Sequence, residues 1–450
     1  MSVRIEHGMV VTMDQGLRVY DKGTVLLDED RISYVGSDEE APQGLADRTI
    51  DASGRIVLPG LINTHVHLSQ QLGRGIGDDV SLLTWLHDRI WPYEAEMTYE
   101  DSYVSSLLCD LELIRTGVTC FAEAGGQHVA GMAAAAEEIG LRGILARSIM
   151  DEGEGPASMI EPTDQCISIQ EDLIERFHGM AGGRIRVWPS CRTIFNCSDE
   201  LYLRTQELAD RHGVGIHAHI AEIPDEIEFA KQTRGRSTVA HLDELGVLGP
   251  NFLSVHTVWL TESELDILAA RNVPVSHNPA AAMRVLGFAD VPGMLERGIV
   301  VALGTDGAPS NNRMNLISEM YLAGLIHKGR KLDPQVVPAQ EILGMVTNRA
   351  AKALLWDDEI GSLVEGTKAD VTIIEPRTPG MLPLHDPIAN LVYAMDTTNV
   401  SSVIVDGRIL LEDGVVQTVD EEAILAEARA RAKDLVKRAG IRLPRRFPSN

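Results

Sequence analysis

The middle of this 450-residue chain alternates short apolar runs with helix-like segments, and this alternation is the feature that most constrains its fold. Eight runs are typical of strands and lie at residues 60–68, 118–124, 142–150, 185–191, 215–222, 253–260, 273–279 and 299–306. Segments between them, such as DSYVSSLLCDLELIRTG and TESELDILAARN, have the pattern of amphipathic helices. Repeated strand-then-helix units predict a parallel sheet. Eight strands over roughly 250 residues favour a (β/α)8 TIM-like barrel, with an open doubly wound sheet as the alternative.

The two ends of the chain have a different pattern. Both are rich in β-branched residues, in short runs bounded by Gly, Asp and Asn. We therefore expect an α/β fold in which residues 1–58 begin a small composite β-sandwich, residues 59–362 form the barrel, and residues 363–450 complete the sandwich. The stretch from Glu421 to Ala439 is rich in Ala, Arg, Glu and Leu, which predicts a helix.

The net charge, the cysteines and the first residues of the chain indicate which partners, disulfides and location to expect. The chain has 40 basic and 66 acidic residues, a net charge of −26, which repels phosphate backbones and anionic lipids. We expect neither a nucleic-acid nor a membrane partner. The five cysteines are widely spaced with no CxxC pair, which argues against a disulfide framework. The charged first residues lack the apolar core of a signal peptide, so we expect a cytoplasmic protein.

Histidines and carboxylates occur where the predicted strands end, which is where a barrel places its active site. His65 and His67 alternate along one strand, so both side chains can face the same ion. His219 lies on the fifth predicted strand, and Asp306 ends the eighth, where a buried carboxylate needs a partner. Imidazole and carboxylate together suit zinc or ferrous iron. The pattern predicts a metal site, although a lone HxH motif also occurs without metal.

Further residues near these strand ends have alternative interpretations. Glu222 is a candidate proton shuttle or a solvated loop charge. His256 has apolar neighbours and by itself would suggest a hydrogen-bonded core histidine. His217 is two residues before the predicted ligand His219, so both side chains face the same side of the strand. We interpret His217 as a packed core residue. Glu226 and Glu228 have the pattern of an exposed helix.

Four strings together, LPGLINTHVHL, HIAE, SVHTVWL and LGTDGAPSNN, resemble the amidohydrolase superfamily. Within it they are similar to the subgroup of s-triazine hydrolases and S-adenosylhomocysteine/methylthioadenosine deaminases. The resemblance extends through nearly the whole chain and implies a distorted (β/α)8 barrel with a composite β-sandwich. It also implies one divalent ion per chain, usually zinc and sometimes iron, held by His65, His67, His219 and Asp306.

The resemblance also implies catalytic roles and a reaction. Metal-bound hydroxide would attack an amino-substituted nitrogen heterocycle and release ammonia. Asp306 would accept the proton of the water, Glu222 would deliver one to a ring nitrogen, and His256 would contact the water or the substrate. Proteins of this family are typically homodimers or homotetramers, so we expect self-association.

The segments expected to contact the substrate give conflicting indications. The string WPYE resembles nucleoside deaminases, whose ribose-binding glutamate would fall on Glu94; alternatively Glu94 pairs with Arg89 or is solvated. The string VWPSCRT, which includes the substrate-binding candidate Arg192, lacks the substrate-contacting His of those deaminases and looks closer to triazine hydrolases. We therefore expect that adenosine-type nucleosides are not clearly the best substrates. The string also lacks the Lys or Glu that bridges two ions in binuclear members, which favours one metal.

Three functions remain open at this stage. The first is a deaminase that releases ammonia from a heterocycle, with S-adenosylhomocysteine or methylthioadenosine among the candidates. The second is a triazine-type hydrolase that displaces chloride or an alkylamine. The third is a non-catalytic binding protein on the same scaffold, which the complete set of ligand positions disfavours.

Overall fold

The structure is a computed structural model that describes residues 2–443, so residues 444–450 of the predicted C-terminal unit lie outside it. Its strands are β1 Ser2–Val11, β2 Val19–Asp28, β3 Arg31–Ser37, β4 Arg48–Asp51, β5 Ile56–Pro59, β6 Leu61–His67, β7 Val118–Glu123, β8 Arg142–Leu145, β9 Ile185–Val187, β10 Ser190–Cys191, β11 Ile216–Ile220, β12 Phe252–His256, β13 Val275–His277, β14 Val301–Leu303, β15 Asp306–Gly307, β16 Val371–Ile374, β17 Val400–Val405, β18 Arg408–Glu412 and β19 Val415–Val416. Its α-helices are α1 Leu82–Trp85, α2 Trp91–Ala95, α3 Tyr99–Arg115, α4 Val129–Ile139, α5 Thr163–Phe177, α6 Asp199–His212, α7 Pro224–Arg234, α8 Thr238–Leu245, α9 Glu262–Arg271, α10 Pro279–Ala281, α11 Val291–Glu296, α12 Ala308–Asn311, α13 Leu316–Lys331, α14 Ala339–Gly344, α15 Asn348–Ala353, α16 Pro387–Tyr393 and α17 Glu421–Arg438.

Two five-stranded parallel sheets occupy the centre of the molecule. Their strand orders are β10-β11-β12-β13-β14 and β15-β6-β7-β8-β9. Each of the eight apolar runs contains a strand, and two of the runs contain two short strands separated by a two-residue break. Strands β6, β7, β11 and β12 are buried along their whole length, because helices and loops cover the parallel sheets. The carboxyl ends of these strands carry the polar residues predicted as the site.

A third, nine-stranded sheet takes strands from both ends of the chain. Its order is β19-β18-β17-β16-β5-β1-β2-β3, and β4 pairs with β1. The two ends meet where β5 pairs in parallel with β1 and antiparallel with β16. Arg142 on β8 links this sheet to the central strands, because its buried guanidinium donates to Asp370 at 2.7 and 3.0 Å and also to Asp406.

Four of the longer helices, α3, α6, α13 and α17, begin at residues whose side chains cap them. Helix α3 starts with a capping box, in which the Thr98 side chain accepts from the Asp101 amide and the Asp101 side chain accepts from the Thr98 amide. Helix α17 lies against α3, and Arg431 and Arg438 both donate to the Asp101 carboxylate. Between residues 2 and 443, none of the helices has the length and apolar character needed to cross a membrane.

Candidate active site

The structure brings the predicted ligands and both candidate catalytic residues together at the carboxyl ends of four strands. His65 and His67 lie on β6, His219 lies on β11, and Asp306 lies three residues after the end of β14, at the start of the short strand β15. The other two, Glu222 and His256, lie just after β11 and at the end of β12. All six side chains are buried. They come from segments far apart in the sequence, so their convergence results from the fold.

The ligand cluster has the donors and spacing of a metal site. The Nε2 atoms of His65 and His67 each lie 3.5 Å from Oδ1 of Asp306. Ligand atoms of these three residues lie within 4.8 Å of one another, as do those of His65, His219 and His256. Among the described residues nothing forms a hydrogen bond with Nε2 of His65, although this atom is buried. Because a buried polar atom needs a partner, the site fits a divalent metal ion.

Burial keeps the histidines in the state that binds a metal. Desolvation, reinforced by neighbouring imidazoles, holds the pKa of His65 and His67 well below the usual value of a histidine. Burial also lowers the pKa of His219 to about 4, although Glu222 opposes the shift. A neutral imidazole carries the free lone pair that a metal requires.

Two predicted ligands have hydrogen-bond partners that set their orientation. Nδ1 of His219 lies 2.9 Å from the carbonyl oxygen of Arg192, and since a carbonyl can only accept, Nδ1 donates and Nε2 is left for the site. Nδ1 of His65 lies 2.9 Å from Nε2 of His217. The interpretation of His217 as a mere packing residue is therefore incomplete, because it is the hydrogen-bond partner of the predicted ligand His65.

Glu222 and His256 form a close pair beside the ligand cluster. Oε1 of Glu222 lies 3.0 Å from Nε2 of His256, and Nδ2 of Asn278 lies 3.1 Å from the other ring nitrogen. Burial raises the pKa of Glu222, but the charge and hydrogen bond of His256 outweigh it, so the net shift is downward. Glu222 is only 8% exposed, so the alternative of a solvated loop charge is wrong.

The expectation that Glu226 is exposed is also wrong. Glu226 is 0% exposed, because the first turn of α7 folds back under the loop that carries Glu222. Its helical neighbour Glu228 is exposed as expected.

Glu94 and Arg192, the predicted substrate-binding residues, contact each other. Oε1 of Glu94 accepts from Nε2 of Gln70 at 2.9 Å, and Oε2 accepts from Nη1 of Arg192 at 2.9 Å. Glu94 is 2% exposed, so it is neither solvated nor paired with Arg89, which donates to the carbonyl of Asp88. Gln70 and Arg192 line the cavity and Glu94 lies behind them.

A narrow cavity with an accessible volume of about 40 Å³ opens above the cluster. One wall is apolar, and it consists of Leu82, Trp85, Leu86, Ala281, Val285 and Leu286. Sequence reasoning missed this wall and Gln70, because both come from short helical turns whose packing against the strands has no local signature. The lining of the cavity therefore combines this apolar wall with side chains of the ligand cluster.

The sequence matches that of known proteins over most of its length. Residues 56–410 match the model of the Amidohydrolase family. The chain is 39% identical over 415 residues to a 5′-deoxyadenosine deaminase of Methanothermobacter thermautotrophicus, covering 92% of this chain and 95% of that protein. It is 37% identical over 438 residues to a 5-methylthioadenosine/S-adenosylhomocysteine deaminase of Syntrophomonas wolfei, covering 97% of this chain and 100% of that one.

Solved structures are similar over the same extent. An adenosine deaminase from Xanthomonas campestris with bound zinc superposes with a TM-score of 0.92 at 27% identity, covering 97% of this chain and 98% of the other. An atrazine chlorohydrolase from Arthrobacter aurescens complexed with zinc superposes with a TM-score of 0.89 at 26% identity, covering 96% of this chain and 100% of the other. The similarity therefore includes the terminal segments as well as the central strands.

Proposed function

The chain belongs to the amidohydrolase family, and we propose that it is a metal-dependent deaminase of adenosine-type nucleosides with an altered 5′ position. It replaces the exocyclic amine of the ring by oxygen and releases ammonia. One observation carries this proposal: the buried ligands His65, His67, His219 and Asp306 converge beside the Glu222–His256 pair under a cavity with an apolar wall.

We propose that these four ligand residues hold one zinc ion per chain. Zinc is favoured by the mixed imidazole and carboxylate donor set and by the bound zinc of two structural relatives. When bound, a divalent ion of this kind lowers the pKa of a water molecule, so that hydroxide is available near neutral pH.

The protein side chains divide the proton transfers between them. Asp306 accepts the proton of the attacking water. Glu222, which takes up a proton as the substrate enters, passes it to the ring nitrogen next to the carbon that carries the amine, which makes that carbon electrophilic. His256, 3.0 Å from Glu222, orients the attacking oxygen and stabilises the charge that develops on it. The proton taken up by Asp306 then passes to the amine, which leaves as ammonia, and the hydroxyl proton of the tetrahedral centre returns to Glu222, so the reaction balances.

The proposed substrate class differs from the expectation drawn from the string VWPSCRT. The absence of the substrate-contacting His suggested a bare ring, whereas relatives at 37–39% identity are named deaminases of adenosine derivatives. In this chain Arg192 of the same string lines the cavity, so a donor is present where the His is missing. We propose that Arg192 and Gln70, held by Glu94, contact the nucleoside.

A panel of substrates tests the proposal. We expect ammonia release from 5′-deoxyadenosine, methylthioadenosine and S-adenosylhomocysteine with kcat/KM at least about tenfold above that for adenine and aminotriazines. The reason is that a hydrogen bond to a charged group contributes about 1.5–3 kcal/mol, and about 1.4 kcal/mol is a factor of ten. A higher kcat/KM for the bare rings would contradict the proposal. Chloride release from a chlorotriazine would instead support the second candidate function, which the atrazine chlorohydrolase favours.

Glu94→Ala is expected to raise KM for the best nucleoside by at least about tenfold, with a smaller change in kcat. The substitution removes the acceptor that holds Gln70 and Arg192 in the cavity wall and leaves a buried cation unpaired. Steady-state kinetics of the variant measure both constants. The exposed Glu96 provides the matched control, since Glu96→Ala leaves the wall intact. Equal kcat/KM in Glu94→Ala and wild type would exclude this role.

We also infer that the two five-stranded sheets close into one (β/α)8 barrel. Support comes from the segment between β14 and β15, where the Gly304 amide donates to the His277 carbonyl and the Thr305 amide donates to the His65 carbonyl, each at 3.0 Å. This segment therefore bonds to both sheets. On the other side β9 and β10 are separated by two residues. The proposed units remain residues 1–58 and 363–450 for a composite β-sandwich and 59–362 for the barrel.

The expected assembly into a homodimer or homotetramer and the expected cytoplasmic location stay predictions.

A further inference from the structure

Glu226 is a buried carboxylate outside the proposed catalytic set, and both of its oxygens accept from the loop that carries Glu222. Oε1 accepts from the amide of Ala221 at 2.8 Å, and Oε2 accepts from the amide of Glu222 at 2.7 Å. Thr238 donates its hydroxyl to Oε1 at 2.9 Å. The side chain is therefore a bidentate anchor for two successive backbone amides.

These amides lie at a strained corner of the backbone. Ala221 has a φ of 54°, and His256 and Thr257 on the neighbouring strand end have φ values of 67° and 53°. Positive φ is costly for residues other than glycine and persists where surrounding contacts hold it. The carbonyl of Ala221 accepts from the amides of Val258 and Trp259 at 3.0 and 2.9 Å, which ties the two corners together. The amides of Ala221 and Glu222, at the same corner, are held by the carboxylate of Glu226.

We propose that Glu226 is a positioning residue that fixes the carboxylate of Glu222 against His256 and toward the ring nitrogen of the substrate. Without the anchor, the Ala221–Glu222 peptide is free to relax from its strained conformation, and the carboxylate moves with it. The Glu222–His256 distance of 3.0 Å leaves little room for such movement. The inference rests on the proposed function, in which Glu222 transfers a proton.

Glu226→Gln tests the proposal while preserving size. Glutamine has an NH2 group in place of one carboxylate oxygen, so one of the two backbone amides faces a donor instead of an acceptor. We expect kcat to fall by about tenfold to a hundredfold, since a misplacement of about 1 Å can cost about 10²-fold. KM for 5′-deoxyadenosine and the metal content should stay within about twofold of wild type, because neither the cavity wall nor the ligand cluster changes. Glu228→Gln, an exposed substitution on the same helix, is the control and should match wild type.

The decisive measurement is made in a Glu222→Gln background. If Glu226 acts through Glu222, adding Glu226→Gln to Glu222→Gln should lower kcat by no more than about twofold further. If Glu226→Gln lowered kcat by the same factor in wild type and in Glu222→Gln, its role would be a general structural one, and the proposal would be overturned. Wild-type kcat in Glu226→Gln would also overturn it.

A second variant covers the case in which Glu226→Gln does not fold. Glu226→Asp keeps the charge but is too short to reach both amides, so the same comparison in the two backgrounds applies. Failure of the proposed function is separately visible, because wild type would then release no ammonia from any nucleoside. In that case the proposal for Glu226 is rejected together with the proposed function. If the wild type deaminates nucleosides and both Glu226→Asp and Glu226→Gln keep the wild-type kcat, only the proposal for Glu226 is rejected.

Discussion

His65→Ala and Asp306→Ala are each expected to lose the metal and to lower kcat/KM by at least about a thousandfold. The Nε2 of His65 and Oδ1 of Asp306 lie 3.5 Å apart, so one ion is within reach of both, and removal of either opens the cluster. A bound ion supplies several kcal/mol of charge stabilisation, and each 1.36 kcal/mol is a factor of ten in rate. Elemental analysis of the purified variants and steady-state kinetics on 5′-deoxyadenosine measure the two losses.

His241→Ala is a suitable control for the metal experiment. His241 is as buried as the proposed ligand His219, at 8% exposure each, but it pairs with Asp199 on another helix. We expect this variant to keep about one zinc per chain. Chelator treatment of wild type should abolish ammonia release, and added zinc should restore it. Full activity in metal-free protein would contradict the assignment of the ligands.

Part of the site could be predicted because its residues carry a local signature. Alternation along a strand places His65 and His67 on one face whatever the rest of the chain does. Asp306 ends an apolar run, where an unpaired carboxylate would be too costly to bury. Strand-then-helix alternation likewise predicts parallel strands, and each predicted run contains one. These inferences depend only on neighbours in the sequence.

Contacts between distant segments could not be predicted in this way. The sequence suggests Arg89, five residues away, as a partner of Glu94, whereas in the structure Glu94 pairs with Arg192, which follows strand β10. Glu226 has the sequence context of an exposed helix, yet the loop before α7 turns back over its side chain. In both cases the fold creates a buried carboxylate with several donors, and a single sequence contains no record of which donors will meet it.

Glu222→Gln is expected to lower kcat by about 10²–10⁴ while the metal stays bound. The amide keeps the size of the side chain and a hydrogen bond with His256, which lies 3.0 Å away, but it cannot carry a proton to the ring. Positioned proton transfer typically contributes about this factor to the rate. The measurement is kcat on 5′-deoxyadenosine together with the metal content of the same preparation. Asp225→Asn, an exposed change three residues further along, should leave both unchanged.

The combination of kcat, KM and metal content separates the roles of the buried carboxylates. Loss of metal in Glu222→Gln would make Glu222 a ligand and would contradict its assignment as the proton shuttle. An unchanged kcat would mean that another group transfers the proton, and His256, which contacts both Glu222 and Asp306, is the neighbour to test next. A fall in kcat with metal retained and KM little changed is the result that proton transfer alone requires, because the ground-state contacts of the nucleoside with Gln70 and Arg192 are untouched.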